Sequence, residues 1–172
     1  MIMPGKVLVL AIVFLALIGG GAMYYLQVYA YYEEIPDGDV FLTSVVTQQP
    51  EVIAVSDFSA IDADSSPLRY RACFESTLSL ASLSEAYVPF ENAVPRVAPG
   101  WFECFDAEAI AGALDSGQAL ALLGEKNVAF GVDRVVVITS AGRGYAWHEL
   151  NNCGEKAYDG TIVGEECPKR AE

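Results

Sequence analysis

The pattern of apolar and polar positions divides the chain into a short, uncharged N-terminal segment and a longer mixed segment. Residues 7–32 contain no charged side chain, and the first twenty of them are almost entirely apolar. A helix of about 20 residues rises roughly 30 Å, which matches the hydrocarbon core of a bilayer. We therefore predict a single transmembrane helix within residues 1–32 and a separate domain over residues 33–172.

The residues that flank this apolar segment predict how it is used. It is longer than the apolar run of a signal peptide, which is about 7–15 residues, and bulky Met23 and Tyr24 follow its small residues where a cleavage site would lie. An uncleaved anchor is therefore expected. Lys6 precedes the segment, whereas Glu33 and Glu34 follow it. Since positive residues stay on the cytoplasmic side, the domain is expected outside the cytoplasm.

Small residues within the predicted helix indicate a face for packing. Ala16 and Gly20 are four residues apart, and Gly19 adjoins them. Small side chains allow the backbones of two membrane helices to approach closely. We therefore predict that these residues pack against a helix of another membrane protein, although glycine is also common in membrane helices that have no such partner.

The longer segment alternates in a way that predicts both strands and helices. The predicted strands are residues 40–47, 51–59, 68–76 and 145–150, and residues 128–139 contain a further buried strand, RVVVIT. Asp106 is a suitable N-cap for a helix over residues 107–115, and residues 118–123 are predicted as a second short helix. Residues 77–87 fit a helix or a strand. The order indicates an α+β domain with a mainly antiparallel sheet and two short helices.

Net charge narrows the range of partners. All 23 acidic residues lie in residues 33–172, where nine of the ten basic residues also lie, so this segment has a net charge of −14. We do not expect nucleic-acid binding, because it requires a basic surface. An acidic surface attracts a basic protein partner, but it also simply keeps a domain soluble.

The four cysteines all follow the apolar segment. An even number in an oxidising compartment indicates disulfides, and four cysteines allow three connectivities. Cys73–Cys104 with Cys153–Cys167 is preferred, because the second pair closes a glycine-rich tail with few apolar residues. Closing a 15-residue loop stabilises by about 3 kcal/mol in the chain-entropy model. A zinc site is the alternative, but the spacing of zinc ligands is missing.

Other motifs do not predict chemistry. Asp62, Asp64 and Ser66 begin like a calcium loop, but Pro67 and Cys73 stand where an EF-hand has glycine and glutamate. Gly142 and Gly144 flank a hairpin turn and lack the lysine of a phosphate loop. The one histidine, His148, is interpreted as structural. No catalytic residue, cofactor or metal ligand is predicted.

Four stretches resemble an uncharacterised family of alphaproteobacterial single-span inner-membrane proteins. They are YYLQVYAYYEE, IDADSSPLRYRACF, WFECFDAEAI and GVDRVVVITSAGRGYAWHEL. The resemblance implies a Gram-negative host and a periplasmic domain, and it carries no activity or site residues. Members are sometimes labelled histidine kinases, and this sequence argues against that label because its histidine follows the membrane segment.

Taken together, these features predict a protein that is not an enzyme. The first hypothesis is an accessory or assembly subunit of an inner-membrane complex, with membrane lipid and an integral membrane protein as its surroundings. A respiratory or photosynthetic electron-transfer complex is favoured, because an acidic periplasmic surface would help to recruit a basic cytochrome c. The second hypothesis is a membrane-anchored periplasmic domain that binds or senses a ligand.

The predicted orientation can be tested with reporter fusions. Alkaline phosphatase fused after Glu172 should be active, since it folds only where disulfides form, and a reporter that requires the cytoplasm should be inactive there. The opposite pattern would reject both the periplasmic domain and the disulfide interpretation.

Overall fold

The computed structural model describes residues 5–169, and contacts divide the chain into two units, Met1–Tyr32 and Glu33–Glu172. The first unit is helix α1, Gly5–Tyr25, which continues into a π-helical turn over Leu26–Ala30. No residue of α1 is buried. Within the described part of the chain, one helix, Gly5–Ala30, is long and apolar enough to cross a membrane.

The second unit contains eight strands and two helices among its described residues. The strands are β1 Glu33–Ile35, β2 Val40–Thr43, β3 Pro50–Ile53, β4 Ser56–Asp62, β5 Arg71–Glu75, β6 Ala119–Ala129, β7 Val132–Thr139 and β8 Arg143–Leu150, and the helices are α2 Leu80–Ala86 and α3 Ala107–Asp115. Six strands form an antiparallel sheet in the order β1-β4-β5-β8-β7-β6, and β2 and β3 form a hairpin. The prediction of an α+β domain with a mainly antiparallel sheet is confirmed.

The β2–β3 hairpin is attached to the main sheet through the segment that follows α2. The amide of Val88 donates to the carbonyl of Thr43 at 2.8 Å, and the carbonyl of Val88 accepts from the amide of Leu123 at 2.8 Å. The Thr43 hydroxyl also donates to the carbonyl of Gly124 at 2.8 Å. The hairpin therefore continues the sheet beyond β6 rather than standing as an independent element.

One face of the sheet carries the main hydrophobic core. Side chains from the sheet, the hairpin and α2 meet there, and they include Leu42, Ala72, Phe74, Leu83, Leu122, Val136 and Ile138. Because side chains alternate along a strand, the neighbouring positions of β5, β7 and β8 face the opposite side. Gly144 of β8 lies directly against the ring of Phe74, and an added Cβ would overlap that ring.

The opposite face is covered by the proline-rich segment between α2 and α3, which contains Pro89, Pro95 and Pro99. The Phe105 ring meets the ring of Trp147 edge-on, with centroids 6.1 Å apart. Buried Arg71 donates from Nε to the carbonyl of Arg96 and from Nη2 to that of Val97, both at 3.1 Å. A single arginine thus satisfies carbonyl groups of a loop that forms no regular pairing of its own.

Local sequence signals account for both helices of the domain. The Asp106 carboxylate accepts from the amides of Glu108 and Ala109 at 3.0 and 3.1 Å, so α3 begins where the N-cap predicts. Ser79 caps α2 by accepting from the amide of Ser82. Residues 77–87, which fit either type of element, therefore contain a helix.

Two predictions of secondary structure are wrong. Residues 118–123 were expected to form a helix, but they lead into β6, where Ala119 pairs with Thr139 and Leu123 with Val135. A short apolar run suits either element, and here a long partner strand decides. Residues 51–59 form two strands instead of one, because β3 ends at Ile53 and β4 begins at Ser56.

The core predicts that one kind of substitution, valine to alanine, has very different effects on stability at a buried and at an exposed position. Val136→Ala removes two methyl groups from a fully buried position, and Val46→Ala removes them from a side chain that is 89% exposed. We expect the first to lower the free energy of unfolding by about 2 kcal/mol and the second by less than about 0.5 kcal/mol. Urea denaturation of the detergent-solubilised chain, followed by the fluorescence of buried Trp147, measures both. Equal effects would contradict this core.

Candidate functional site

Both disulfides lie in the domain and follow the preferred connectivity. Cys73 is bonded to Cys104 and Cys153 to Cys167. The first joins β5 to the segment before α3. The second closes the tail, which is the part of the chain after β8. Within the tail the amide of Ala157 donates to the carbonyl of Thr161 at 2.8 Å. Each disulfide therefore fixes a segment that lies outside the regular strands.

The tail presents apolar side chains to solvent although it is held in place. Lys126 of β6 forms an ion pair with Glu165, which anchors the tail at a second point. Tyr158, Ile162 and Val163 are all exposed, and Tyr158 is completely so. Tyrosine is enriched at protein interfaces, so this constrained segment with its exposed tyrosine is a candidate contact surface.

A cleft lies beside the Cys73–Cys104 disulfide and is called the Trp101 cleft below. Its volume is about 260 Å³. The disulfide forms part of its wall together with Phe74 and Ser59. The remaining lining residues are Asp57, Glu75, Trp101, Phe102, Glu103 and Arg143. Acidic, basic and aromatic side chains meet in this cleft. They come from β4, β5, β8 and the segment before α3.

An irregularity in β4 shapes one side of this cleft. The register of β4 against β5 shifts between Ser56 and Ser59, and Asp57 within that bulge has a φ of 51°. Aspartate tolerates this left-handed conformation better than most residues. β-Bulges redirect a side chain relative to the pleat, and here the bulge brings Asp57 to the cleft.

His148 belongs to a second, mostly buried group at the other end of the sheet. Its ring stacks on Tyr70 with centroids 4.7 Å apart, and the Arg134 guanidinium lies 4.5 Å from the centroid of Tyr70. Arg134 Nε donates to His148 Nε2 at 3.1 Å, and Arg134 Nη1 contacts Glu125 at 3.2 Å. A guanidinium can only donate, so Nδ1 of His148 carries the proton and donates to the carbonyl of Pro67 at 2.6 Å.

This environment keeps the imidazole neutral. The pKa of His148 is lowered from 6.5 to about 4, mainly by burial; the hydrogen bond to Pro67 opposes this shift, and the charge of Arg134 adds to it. The Arg71 charge acts in the same direction as Arg134. Both ring nitrogens are engaged, so the histidine acts as a connector between β7, β8 and the loop before β5. This agrees with its interpretation as structural.

The buried carboxylates are also occupied by donors. Glu149 accepts from the Trp147 indole and from the amide of Val94, both at 2.7 Å. Asp133 accepts from the amide of Asn127 at 2.8 Å and from the side chain of Asn151 at 2.7 Å. Partly buried Asp62 is different, because burial raises the pKa of its carboxyl group despite a hydrogen bond from Ala63.

The residues singled out from the sequence are distributed over both units. Ala16, Gly19 and Gly20 lie on α1, and apart from the adjacent residues and the helix's own backbone no atom lies within 4 Å of where a Cβ would stand on either glycine. The cysteines lie in the domain. Sequence reasoning missed the Trp101 cleft, although the aromatic residues beside Cys104 are a local signal. The contributions of Asp57 and Arg143 depend on strand pairing and have no such signal.

The fold and these features define a class of protein: an apolar helix followed by a disulfide-bonded antiparallel α+β domain with an acidic surface. The chain belongs to a family of unknown function, DUF6446, whose model matches residues 40–168. The match covers most of the domain and begins after α1. No curated protein matches the chain. No solved structure matches it either.

The neutral state of His148 predicts an unusual titration. Because the chain has one histidine, its imidazole resonance can be followed by NMR without ambiguity. It should stay constant as the pH falls through 6.5 and move only near pH 4, whereas in concentrated urea it should titrate near its ordinary value of about 6.5.

The folded and unfolded pKa values of His148 also determine how its contribution to stability changes with pH. Between pH 6.5 and 4 the unfolded chain binds more protons at His148 than the folded chain does. The contribution of neutral His148 to stability is therefore complete above pH 6.5 and is lost as the pH falls toward 4. Arg134→Gln should raise the pKa of His148, and the control Arg143→Gln should leave it unchanged. A folded-state pKa near 6.5 would contradict this geometry.

Proposed function

We propose that the protein is a non-enzymatic accessory or assembly subunit of a bacterial inner-membrane complex. In this proposal α1 is a membrane anchor with its N-terminus in the cytoplasm, and the domain lies in the periplasm. The host is a Gram-negative bacterium, as the resemblance of the sequence implies. The observation that carries the proposal is the complete exposure of an apolar helix in a chain whose other residues form their own core.

The helix supports a membrane partner in two ways. Leu10 and Leu17 are 68% and 70% exposed, and each side chain of this kind favours an apolar environment by about 1.5–3 kcal/mol. Lipid satisfies that preference around most of the helix. Ala16, Gly19 and Gly20 are the positions where a second helix gains more than lipid does, because its backbone can come close there.

The domain supports a role in binding rather than in reaction. Several polar side chains of its interior are used in structural hydrogen bonds, as the surroundings of His148, Glu149 and Asp133 illustrate. Two disulfides fit an oxidising compartment such as the periplasm. The exposed apolar side chains of the tail, among them Tyr158 and Ile162, supply a second contact surface for a protein partner.

An electron-transfer complex of the respiratory or photosynthetic type is the proposed host. The net charge of −14 over residues 33–172 gives the domain a surface that attracts a basic cytochrome c. Such attraction raises the rate of encounter and weakens as ionic strength increases. The chain itself needs no cofactor for this role, because it positions the carrier and does not exchange electrons.

A periplasmic domain that binds or senses a ligand is the second candidate. The specific observation in its favour is the Trp101 cleft, in which carboxylates and aromatic rings surround about 260 Å³. This candidate requires that a ligand occupy the cleft, whereas the subunit proposal requires that a partner occupy α1. The two are therefore separable by experiment.

Substitutions on α1 test the subunit proposal. Gly20→Leu keeps the helix apolar but places a large side chain on the face that contains Ala16. Gly21→Leu makes the same change about 100° further around the helix. We expect Gly20→Leu to reach the membrane and to lose the partner that co-purifies with the wild-type chain in mild detergent. Gly21→Leu should retain that partner, and mass spectrometry identifies it.

Three results would count against a stable partner. The wild-type chain would elute alone, only further copies of the same chain would be recovered, or the two variants would behave alike. Membrane fractionation of each variant is the control for insertion, since a chain that fails to insert cannot report on helix packing.

A further inference from the structure

The Trp101 cleft has the form of a binding site rather than of a packing defect. One side is the bulge at Asp57, and the other is the segment Trp101–Glu103, which Cys104 ties covalently to Cys73 of β5. The disulfide therefore holds an aromatic and acidic segment at a fixed distance from the sheet. Both walls are constrained by covalent bonds or strand pairing, so the cleft is preformed.

The charges of the cleft are unbalanced. Three carboxylates, Asp57, Glu75 and Glu103, line it together with one cation, Arg143, which leaves a net charge of −2. Two ion pairs of the domain are Lys126–Glu165 and Arg134–Glu125. None of the charged groups of the cleft belongs to either pair. The cleft therefore attracts a cation.

The uncharged part of the lining selects the kind of cation. Trp101 and Phe102 stand with their rings edge-to-face, 6.3 Å between centroids, and the disulfide lies beside them. An indole face is the best aromatic partner for a cation in proteins, especially for a weakly hydrated one. In the described part of the chain no three ligating side chains are placed to hold a metal ion. Aromatic rings beside separated carboxylates instead suit an ammonium or guanidinium group with an apolar stem.

The size of the cleft sets a limit on the ligand. Pockets for drug-sized molecules are about 300–1,000 Å³, and this cleft is about 260 Å³. It accommodates one cationic head group with a short hydrocarbon stem. Nucleotides and sugars of several rings are too large, and the carboxylates oppose anionic ligands.

We propose that the Trp101 cleft binds an organic cation, namely the ammonium or guanidinium end group of a small amine or of an exposed lysine or arginine side chain. Asp57, Glu75 and Glu103 supply the charge, and Trp101 supplies the face on which the cation rests. Arg143 competes with the ligand for the same carboxylates.

Indole NMR of the full chain in detergent tests the site directly. The chain has two tryptophans, and Trp147, which is fully buried, serves as an internal reference. Titration with n-butylguanidinium should move the indole N–H resonance of Trp101 and not that of Trp147. The neutral isostere n-butylurea should move neither. A response to both probes, a response to neither, or a shift of Trp147 alone would overturn the proposal.

Charge substitutions give the second measurement. Asp57→Asn and Glu103→Gln should each weaken binding of n-butylguanidinium roughly two- to fivefold, as expected for an exposed charge pair. Arg143→Gln should strengthen it by a similar factor. The matched control is Glu85→Gln, an exposed carboxylate on α2 outside the cleft. Equal weakening by the control would show that net charge alone causes the effect, and weaker binding in Arg143→Gln would contradict competition for the carboxylates. Either result would reject the site.

The disulfide offers a structural test of the same site. Replacing both Cys73 and Cys104 with alanine should abolish the Trp101 response, because the wall of the cleft is released. Replacing Cys153 and Cys167 should preserve it. The Trp147 resonance reports whether each variant is folded, and an undiminished response without the Cys73–Cys104 bond would reject the preformed cleft.

The source of the cation is distinguished by a peptide arm. The tripeptide acetyl-Gly-Arg-Gly-amide is compared with its citrulline analogue, which replaces the guanidinium with a neutral urea. Tighter binding of the arginine peptide than of n-butylguanidinium supports the site and assigns it to a protein side chain. Weaker binding of the peptide supports the site and assigns it to a free amine. Equal binding of the arginine and citrulline peptides would contradict recognition of charge.

Discussion

The domain depends on covering both faces of one antiparallel sheet. β5 shows the constraint at adjacent positions, because Ala72 and Phe74 belong to the main core while Arg71 and Cys73 are buried on the other side. A polar group enclosed in this way is costly unless it is hydrogen-bonded. Arg71 meets that condition by donating to backbone carbonyls of the proline-rich segment, and in doing so it holds the cover of the second face in place.

The same constraint explains where the covalent bonds lie. The cover of the second face pairs little with the sheet, so its position depends on Arg71, on Phe105 and on the Cys73–Cys104 bond. In the chain-entropy model, closing a loop of this length stabilises by about 3–4 kcal/mol. The described residues of the tail contribute nothing to the core, and the tail is held instead by Cys153–Cys167 and the Lys126–Glu165 pair. The Cys153–Cys167 bond therefore lies where apolar burial is small.

Charged side chains have different roles in the interior and on the surface of the domain. Arg134 and His148 are joined to Tyr70 and Glu125 in a group that connects three strands, and the histidine stays neutral there. The exposed carboxylates have no such structural use in the cleft, where Asp57 and Glu103 surround an aromatic wall. Interior charges thus stabilise the fold, while the acidic surface and α1 are the features available to partners.

The amino-acid sequence by itself determines what depends on neighbours along the chain. The apolar composition of α1, the cap that Asp106 provides for α3, and the β7–β8 hairpin all arise from local patterns. The cysteine connectivity also agrees with the pairing preferred from the composition of the tail.

Tertiary structure decides what depends on partners that are distant in the chain. Residues 118–123 enter a strand because β7 offers hydrogen bonds to Ala119 and beyond, which an apolar run alone does not reveal. The break between β3 and β4, with the left-handed Asp57, arises from pairing with β5. The Trp101 cleft follows from that bulge and from a disulfide across the sheet face. Its acidic residues come together only after folding, since hydrogen bonding and packing between distant segments set their positions.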